Sequence, residues 1–303
     1  MNLVTGSTGL LGSHMLAELI KQGEKVRALY RSEQRKAGAE KTLAIYFPDA
    51  AEKMKSIEWV QGDVLDIFSL NEAIEGVSRV YHTCGVVAFG QVSKRTMYKT
   101  NTEGTANVVN ACLDQQGTRL CHVSSIAALG NTYDGSEIDE DCMLKPGRTT
   151  TPYAYSKFKG ELEVWRGINE GLSAVIVNPS VILGPGLWNS ATAAFIERVY
   201  KGLSFYPTGT VGYVDVRDIA AVMIQLMNSD ITAERFILNA ENLTYKDFFT
   251  IIAAELGRKP PVYRVTPWMG SAALAGDFLR ALTTCTPRQI TREALRIASE
   301  TTR

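Results

Sequence analysis

Asn2-Leu3-Val4-Thr5-Gly6-Ser7-Thr8-Gly9-Leu10-Leu11-Gly12 is the stretch whose reading decides the fold. Asn2–Thr5 is a short strand-like run around Leu3 and Val4, and Leu10–Lys21 carries apolar residues at three-to-four spacing. The first reads as a strand and the second as a helix. The glycines between them fall at Gly-x-x-Gly-x-x-Gly rather than Gly-x-Gly-x-x-Gly. A turn of this kind must be tight, must let a pyrophosphate approach backbone N–H groups, and must let helix and strand pack closely. Gly6, Ser7, Thr8, Gly9, Leu10, Leu11 and Gly12 are therefore the candidate phosphate-cradling residues of a dinucleotide site.

Outward from that turn, strand-like and helical segments alternate. Strands are expected at Lys25–Tyr30, Ile57–Gln61, Arg79–Thr83, Leu120–Ser124 and Ala174–Asn178, and helices at Ile67–Ile74, Lys94–Gln115 and Ala154–Asn169. Such alternation implies right-handed crossovers and a parallel sheet covered on both faces. After Pro179 helices dominate, near Ser190–Lys201, Ile219–Met227, Tyr245–Leu256 and Pro267–Leu282, with short strands at Tyr213–Val216 and Arg235–Asn239. The fold class expected is α/β, a Rossmann-type doubly wound parallel sheet with a smaller, mostly helical C-terminal lobe. Residues 1–183 form the dinucleotide-binding domain, with 213–229 returning to it, and 184–212 and 230–303 form a substrate-binding lobe. Ligands of open α/β sheets bind beyond the carboxyl ends of the strands, so the chemistry belongs in the cleft between the two parts.

Composition narrows the function. The 303 residues carry Lys+Arg 32 against Asp+Glu 32, with 45 % hydrophobic and 21 % charged. This excludes disordered, collagen-like and coiled-coil chains, and gives no electrostatic footprint for nucleic acid or an anionic membrane. No apolar run approaches the roughly 18 residues of a span, and no secretory leader is expected. Cys84, Cys112, Cys121, Cys142 and Cys285 are scattered, with no Cys-x-x-Cys pair. Reduced thiols in a cytoplasmic protein are expected. His14, His82 and His122 lie on separate elements, and no metal site is expected.

At the end of the second expected strand, where NAD-binding chains usually carry an acid for the ribose hydroxyls, stand Tyr30 and Arg31, with Arg35 and Lys36 close by. A carboxylate repels a 2′-phosphate and a guanidinium pairs with it. NADP(H) is the expected cofactor, with Arg31 its principal discriminating contact and NAD(H) the second option. Tyr153 and Lys157 are four residues apart, which places both on one helix face. A nearby ammonium, together with the positive nicotinamide ring of an oxidised cofactor, favours a phenolate and is expected to bring the tyrosine's pKa into range.

The glycine turn, Gly62-Asp63-Val64, His82-Thr83-Cys84-Gly85, Asn101-Thr102-Glu103-Gly104-Thr105, Val123-Ser124-Ser125, Tyr153-x-x-x-Lys157, Pro179, Gly184-Pro185-Gly186 and Asp215-Val216-Arg217-Asp218 occur in this order. The whole chain thereby resembles the extended short-chain dehydrogenase/reductases, the superfamily of NAD-dependent epimerases and dehydratases, with a pattern similar to dihydroflavonol-reductase-like enzymes. The resemblance implies that Tyr153 exchanges the proton, that Lys157 also holds the nicotinamide ribose, and that Ser125 binds the reacting oxygen, Ser124 being its alternative. It implies further cofactor contacts from Asp63, Val64, Thr83, Cys84, Gly85, Asn101, Ser124 and Pro179. Asn101 reads equally as a helix cap, and Asp218 as a cap rather than a catalyst. A homodimer through the helices near 94–115 and 154–169 is implied, with Val108, Val109, Leu162 and Trp165 as apolar contacts. Chains of this kind usually continue past a segment like Thr291–Ser299, so an incompletely closed lobe is expected.

Three functions compete: a carbonyl reductase, a nucleotide-sugar epimerase or dehydratase, and a non-catalytic NADP-binding sensor. The dehydratases carry Asp-Glu after the serine, where this chain has Ile126-Ala127. Sugar-nucleotide enzymes show Arg-Pro-x-Asn where this chain has Asn178-Pro179-Ser180-Val181, and an arginine where Thr210-Val211-Gly212 stands. Without those groups a diphosphate is left unpaired, which is costly. Sensors of this fold lack the Tyr–Lys pair. Val86, Phe89, Leu187, Trp188, Phe205, Trp268 and Met269 suit a small substrate with an apolar or aromatic body. The expectation is reduction of an aldehyde or ketone.

Overall fold

Asn2–Thr5 (β1) is buried along its whole length at the middle of a parallel sheet. The structure is a computed structural model that describes residues 1–87, 93–130, 137–186, 191–266, 268–270, 274, 277, 295–296 and 298–299. The strands that follow are β2 (Val26–Tyr30), β3 (Glu58–Gln61), β4 (Arg79–His82), β5 (Arg119–Val123), β6 (Ser173–Pro179), β7 (Val181–Leu183), β8 (Phe205–Tyr206), β9 (Thr210–Asp215), β10 (Glu234–Leu238), β11 (Glu241–Thr244) and β12 (Tyr263–Arg264). The helices are α1 (Leu10–Lys21), α2 (Glu33–Leu43), α3 (Ala50–Lys55), α4 (Ile67–Ile74), α5 (Lys94–Tyr98), α6 (Gly104–Asp114), α7 (Pro152–Asn169), α8 (Ala191–Tyr200), α9 (Val216–Asn228) and α10 (Tyr245–Glu255).

Seven parallel strands run in the order β10-β6-β5-β4-β1-β2-β3 among the described residues. The order reverses between β1 and β4, the switch point at which doubly wound sheets bind their ligands. Each strand feeds both faces, because side chains alternate. Val4, Ala28, Cys121, Val123, Val175 and Val177 pack with α1 and α9 on one face. Leu3, Leu29, Val80, Leu120, Ala174 and Ile176 pack with α4, α6 and α7 on the other. A separate aromatic core of Tyr213, Tyr245, Phe248 and Phe249 holds the lobe, with Tyr213 stacked on Phe248 at 4.3 Å.

Four expectations need correction. Residues 230–238 are not part of the lobe: β10 adds to the edge of the large sheet, with Arg235 opposite Ile176 and Ile237 opposite Asn178. The single helix expected over Lys94–Gln115 is broken by a π turn at Lys99–Glu103. Asp218 is not the cap of α9, since Asp215 accepts from Arg217 N at 2.8 Å. Val108 and Val109, expected as apolar dimer contacts, are fully buried inside this chain and packed in the sheet core. The expected helix at Pro267–Leu282 lies mostly outside the described residues. No helix among the described residues is long and apolar enough to cross a membrane.

Candidate active site

The glycine turn builds the site's floor. Gly6 has φ +68°, and a Cβ there would lie 2.6 Å from the Cys84 backbone; at Gly12 it would lie 2.1 Å from the Gly6 carbonyl oxygen. Strand, turn and helix therefore approach to a distance only glycine permits. Gly9 caps α1 without a side-chain hydrogen bond. The first helical N–H groups are left for an incoming anion at the positive end of the helix dipole.

Of the expected residues, Gly6, Thr8, Gly9, Arg31, Asp63, Val64, Thr83, Cys84 and Gly85 line one cleft at the switch point. Leu29, Tyr30, Arg35, Gly62, Val86 and Thr100 complete it. The glycine turn ahead of α1 at one wall and two guanidiniums at the other fit a phosphate-bearing dinucleotide. The lining leaves out Ser7, Leu10, Leu11, Gly12, Asn101, Ser124, Tyr153, Lys157 and Pro179. Ser7 donates to the Leu29 carbonyl at 2.7 Å and locks the turn onto β2. Leu11 belongs to the core, and Pro179 closes β6 opposite Leu238. The Thr83 hydroxyl is spent on the Thr5 carbonyl at 2.7 Å, so Thr83 cross-links β4 to β1.

Arg31 Nη1 stands 3.6 Å from Asp63 Oδ2, both side chains being well exposed, 47 % and 36 %. That pair is solvent-screened and weak, and its guanidinium is free to turn towards a ligand. Lys36 is not in the cleft. Its ammonium lies 5.0 Å from the Tyr30 ring centroid and 5.3 Å from that of Trp59.

Beyond Gly85 the catalytic candidates converge. Thr151 caps α7, accepting from Ala154 N at 3.0 Å, and Pro152 occupies the first turn, so Tyr153 and Lys157 begin a single helix face. Ser125, extended at the end of β5 and 9 % exposed, accepts from Ala127 N at 3.2 Å and lies beside the Tyr153 phenol, whose pKa it pulls down. Lys157 is 5 % exposed and donates from Nζ to the Val123 carbonyl at 2.7 Å. A Cβ on Gly85 would sit 3.6 Å from Lys157 Nζ and 3.5 Å from Asn101 Oδ1. Tyr155 turns to solvent.

The ammonium's share of the expected tyrosine pKa depression is not what the structure gives. Burial holds the Tyr153 phenol above its ordinary value, and Ser125 offsets this only in part. Burial instead lowers Lys157 to about 8, against which Cys84 and Glu161 pull upwards. The desolvated ammonium is the group poised near neutrality.

Asn101 is neither a helix cap nor a cleft residue. It sits in the π turn, where its Oδ1 accepts from Val86 N at 2.7 Å and its Nδ2 donates to the Val86 carbonyl at 2.9 Å and to Ser156 Oγ at 3.0 Å. The amide clamps the loop after β4 to α7. π turns frequently mark such functional junctions, and Gly160 allows this one, since a Cβ there would be 2.2 Å from the Asn101 carbonyl oxygen. Ser124 Oγ points away from the cleft, to Glu161 at 2.6 Å.

Two histidines that look unrelated in sequence are register partners on β4 and β5. His82 bridges Thr5 Oγ1 at 2.6 Å and Thr105 Oγ1 at 3.1 Å and stacks on His122 at 5.2 Å. Burial brings His82 down to about 3 and His122 well below its ordinary value, so both are neutral beside Lys157.

Of the expected pocket residues, Phe89, Leu187 and Trp188 lie outside the described residues. Val86 lines the cleft, while Phe205 and Trp268 are largely exposed.

Residues 2–238 match the family model of the NAD dependent epimerase/dehydratase family. Among curated relatives, a protein of Synechocystis sp. provisionally named dihydroflavonol 4-reductase is 30 % identical over 275 residues, covering 88 % of this chain and 75 % of its own length. Tetraketide alpha-pyrone reductase 2 of Arabidopsis thaliana is 31 % identical over 254 residues, covering 78 % and 77 %. The crystal structure of gox2253 superposes with a TM-score of 0.78 at 28 % identity, covering 99 % of this chain and 88 % of that one. Switch-point cleft, glycine turn and sequence match agree: the chain belongs to the NAD dependent epimerase/dehydratase family and is an NAD(P)-dependent enzyme of the extended short-chain dehydrogenase/reductase type.

Proposed function

We propose that this protein is an NADP(H)-dependent oxidoreductase that reduces the aldehyde or ketone of a small substrate with an apolar or aromatic body. The placing of Ser125 beside Tyr153, one helical turn from a buried Lys157 at the Gly85 end of the cleft, carries the reading. The relatives support its direction, since those named above and cinnamoyl-CoA reductase 1 of Petunia hybrida, 29 % identical over 254 residues, are named as reductases. Ile126-Ala127, which form the 3₁₀ turn behind Ser125, offer no acid or base for water elimination. The four described cysteines that carry free thiols, Cys84, Cys112, Cys121 and Cys142, support a cytoplasmic location.

When bound, the reduced nicotinamide supplies the hydride. The chain's own part is to hold and protonate the oxygen. Ser125 donates a hydrogen bond to the substrate oxygen, and Tyr153 delivers the proton to it. A phenol held above its ordinary pKa is fully protonated at neutral pH, which is the form a reduction needs. Lys157 would hold the nicotinamide ribose, and the α1 N-terminus the pyrophosphate. Assay against a panel of aldehydes, ketones and UDP-sugars tests the reading: aromatic or apolar carbonyl compounds should be reduced, and conversion of UDP-sugars alone contradicts it.

NADP(H) preference rests on Arg31 and Arg35 at the ribose end of the cleft, with no acid at Tyr30. A bidentate charge-assisted pair contributes ~1.5–3 kcal/mol, so NADPH should bind about tenfold or more tightly than NADH. Arg31→Ala should erase that difference in a calorimetric titration. Equal Kd values for the two cofactors in the unmutated protein contradict the assignment.

A pH dependence follows from Lys157. Below about 8 its ammonium is charged and can hold the ribose; above, the charge is lost. Because kcat/KM reports the free enzyme, kcat/KM for NADPH should fall as pH rises through about 8, while Tyr153 stays protonated. A profile flat to about pH 10, where an unperturbed lysine would titrate, contradicts this role.

A further inference from the structure

Tyr153, Lys157 and Glu161 fall at successive four-residue steps of α7 and form one stripe. Lys157 reaches the Gly85 end of the cleft; Glu161 is buried, at 3 % exposure, behind the serines that follow β5. Glu161 Oε2 accepts from Ser124 Oγ at 2.6 Å and from Asn178 Nδ2 at 2.9 Å. The same Asn178 Nδ2 donates to the Ser125 carbonyl at 3.1 Å. Glu161 Oε1 accepts from Arg235 Nη1 at 2.8 Å. Arg235 comes from the edge strand β10, and its other nitrogens donate to the carbonyls of Glu140 at 2.6 Å and Cys142 at 2.7 Å.

The partners of this carboxylate are the Ser124 hydroxyl, the Asn178 amide that in turn holds the Ser125 carbonyl, and its counter-ion Arg235. Burying a carboxylate is costly unless it is paired and fully hydrogen-bonded, and an apolar pair of similar volume would serve stability as well or better. A bridging carboxylate is needed only if something must be held, and what it holds is the residue before Ser125 and, through Asn178, Ser125 itself. Asn178 stands where the Arg-Pro pattern would put an arginine; here the neighbouring strand supplies the guanidinium.

We propose that Glu161 is a positioning residue for the carbonyl reduction: its carboxylate, neutralised by Arg235, fixes Ser124 and the Ser125 backbone so that the Ser125 hydroxyl meets Tyr153 and the substrate oxygen. This rests on the reductase reading above. Edge strand β10 is then part of the catalytic support, although none of its residues lines the cleft.

The test compares Glu161→Gln, Arg235→Gln, the double variant Glu161→Gln/Arg235→Gln and Ser124→Ala, with Tyr153→Phe run in parallel on the carbonyl compound most rapidly reduced. Each is measured for kcat, for NADPH Kd and for melting temperature. Misplacing a reacting group by about 1 Å costs on the order of 10²-fold, so Glu161→Gln should lower kcat by about 10–100-fold with NADPH Kd within about twofold. The double variant, in which no buried charge is left unpaired, should regain the melting temperature lost by the single variants while kcat stays low. Ser124→Ala should fold and still lose several-fold in kcat. Recovery of both melting temperature and kcat in the double variant makes the pair merely structural and overturns the proposal. So does unmutated turnover in Ser124→Ala, which decides the matter if the Glu161 variants do not fold. Should Tyr153→Phe remain active, the reductase reading fails instead; an inactive Tyr153→Phe beside fully active Glu161 variants sinks only the positioning role.

Discussion

Tyr153→Phe is expected to cut kcat for carbonyl reduction by roughly 10²–10⁴-fold, the contribution of a positioned acid, while NADPH Kd stays within about twofold. Only the phenolic oxygen is removed, and Tyr153 lies beside Ser125 rather than in the cleft wall. The ring stays in the first turn of α7 behind its Thr151 cap, so the fold should be untouched. Lys157→Met differs. That ammonium lies at the cleft's end beside Gly85 and anchors to the Val123 carbonyl, so its loss should weaken NADPH binding and turnover together. Steady-state kinetics with a parallel NADPH titration separates the two patterns. Retained turnover in Tyr153→Phe means that the proton comes from elsewhere.

Gly12→Ala is expected to abolish cofactor binding at working concentrations. A Cβ at Gly12 would meet the Gly6 carbonyl oxygen at 2.1 Å, the Gly6 carbonyl carbon at 2.7 Å and Ser7 Cα at 2.8 Å, all of them backbone. Nothing there can move without opening the turn that aims the α1 N–H groups. Overpacking of this kind costs about 1–3 kcal/mol of stability. Losing two charge-assisted bonds to a pyrophosphate costs ~3–6 kcal/mol more in affinity, a rise in Kd of about 10²–10⁴-fold. Gly147→Ala is the control, since it lies outside the cleft and its Cβ would meet nothing nearer than 4.0 Å, and it should bind as the unmutated protein does. The readout is the rise in melting temperature on adding NADPH, large in the unmutated protein and absent in Gly12→Ala. An undiminished rise in Gly12→Ala would show that the turn does not hold the cofactor.

The elements with strong periodicity were legible in the sequence. The strands feeding both faces and α1, α4, α7 and α9 emerge near their expected bounds, because each buries a continuous apolar stripe. Helix α2 was not legible: it is mostly charged and buries only Ala39, Thr42 and Leu43, so it has no apolar period to detect. Strand β10 was visible as a strand, but which sheet it joins is a long-range choice, decided by pairing with β6 and by Arg235 reaching Glu161. In the site, spacing alone identified the glycine turn and the Tyr153–Lys157 face. The clamp made by Asn101, the stack of His82 on His122 and the Glu161 network each join residues far apart in the chain. Their one sequence signal was Glu161 falling a further four residues along the Tyr153–Lys157 stripe. The direction of the Tyr153 shift was misjudged for a related reason. Spacing shows that an ammonium is near, whereas burial, which dominates here, depends on the whole fold.

The most direct measurement of the central claim is the stoichiometry of cofactor and product under steady-state turnover. Reduction of a carbonyl compound by this site should consume one NADPH for each alcohol formed, in the same ratio at every substrate concentration. Product formation with no net change in reduced cofactor, as an epimerase that returns its hydride would give, contradicts it.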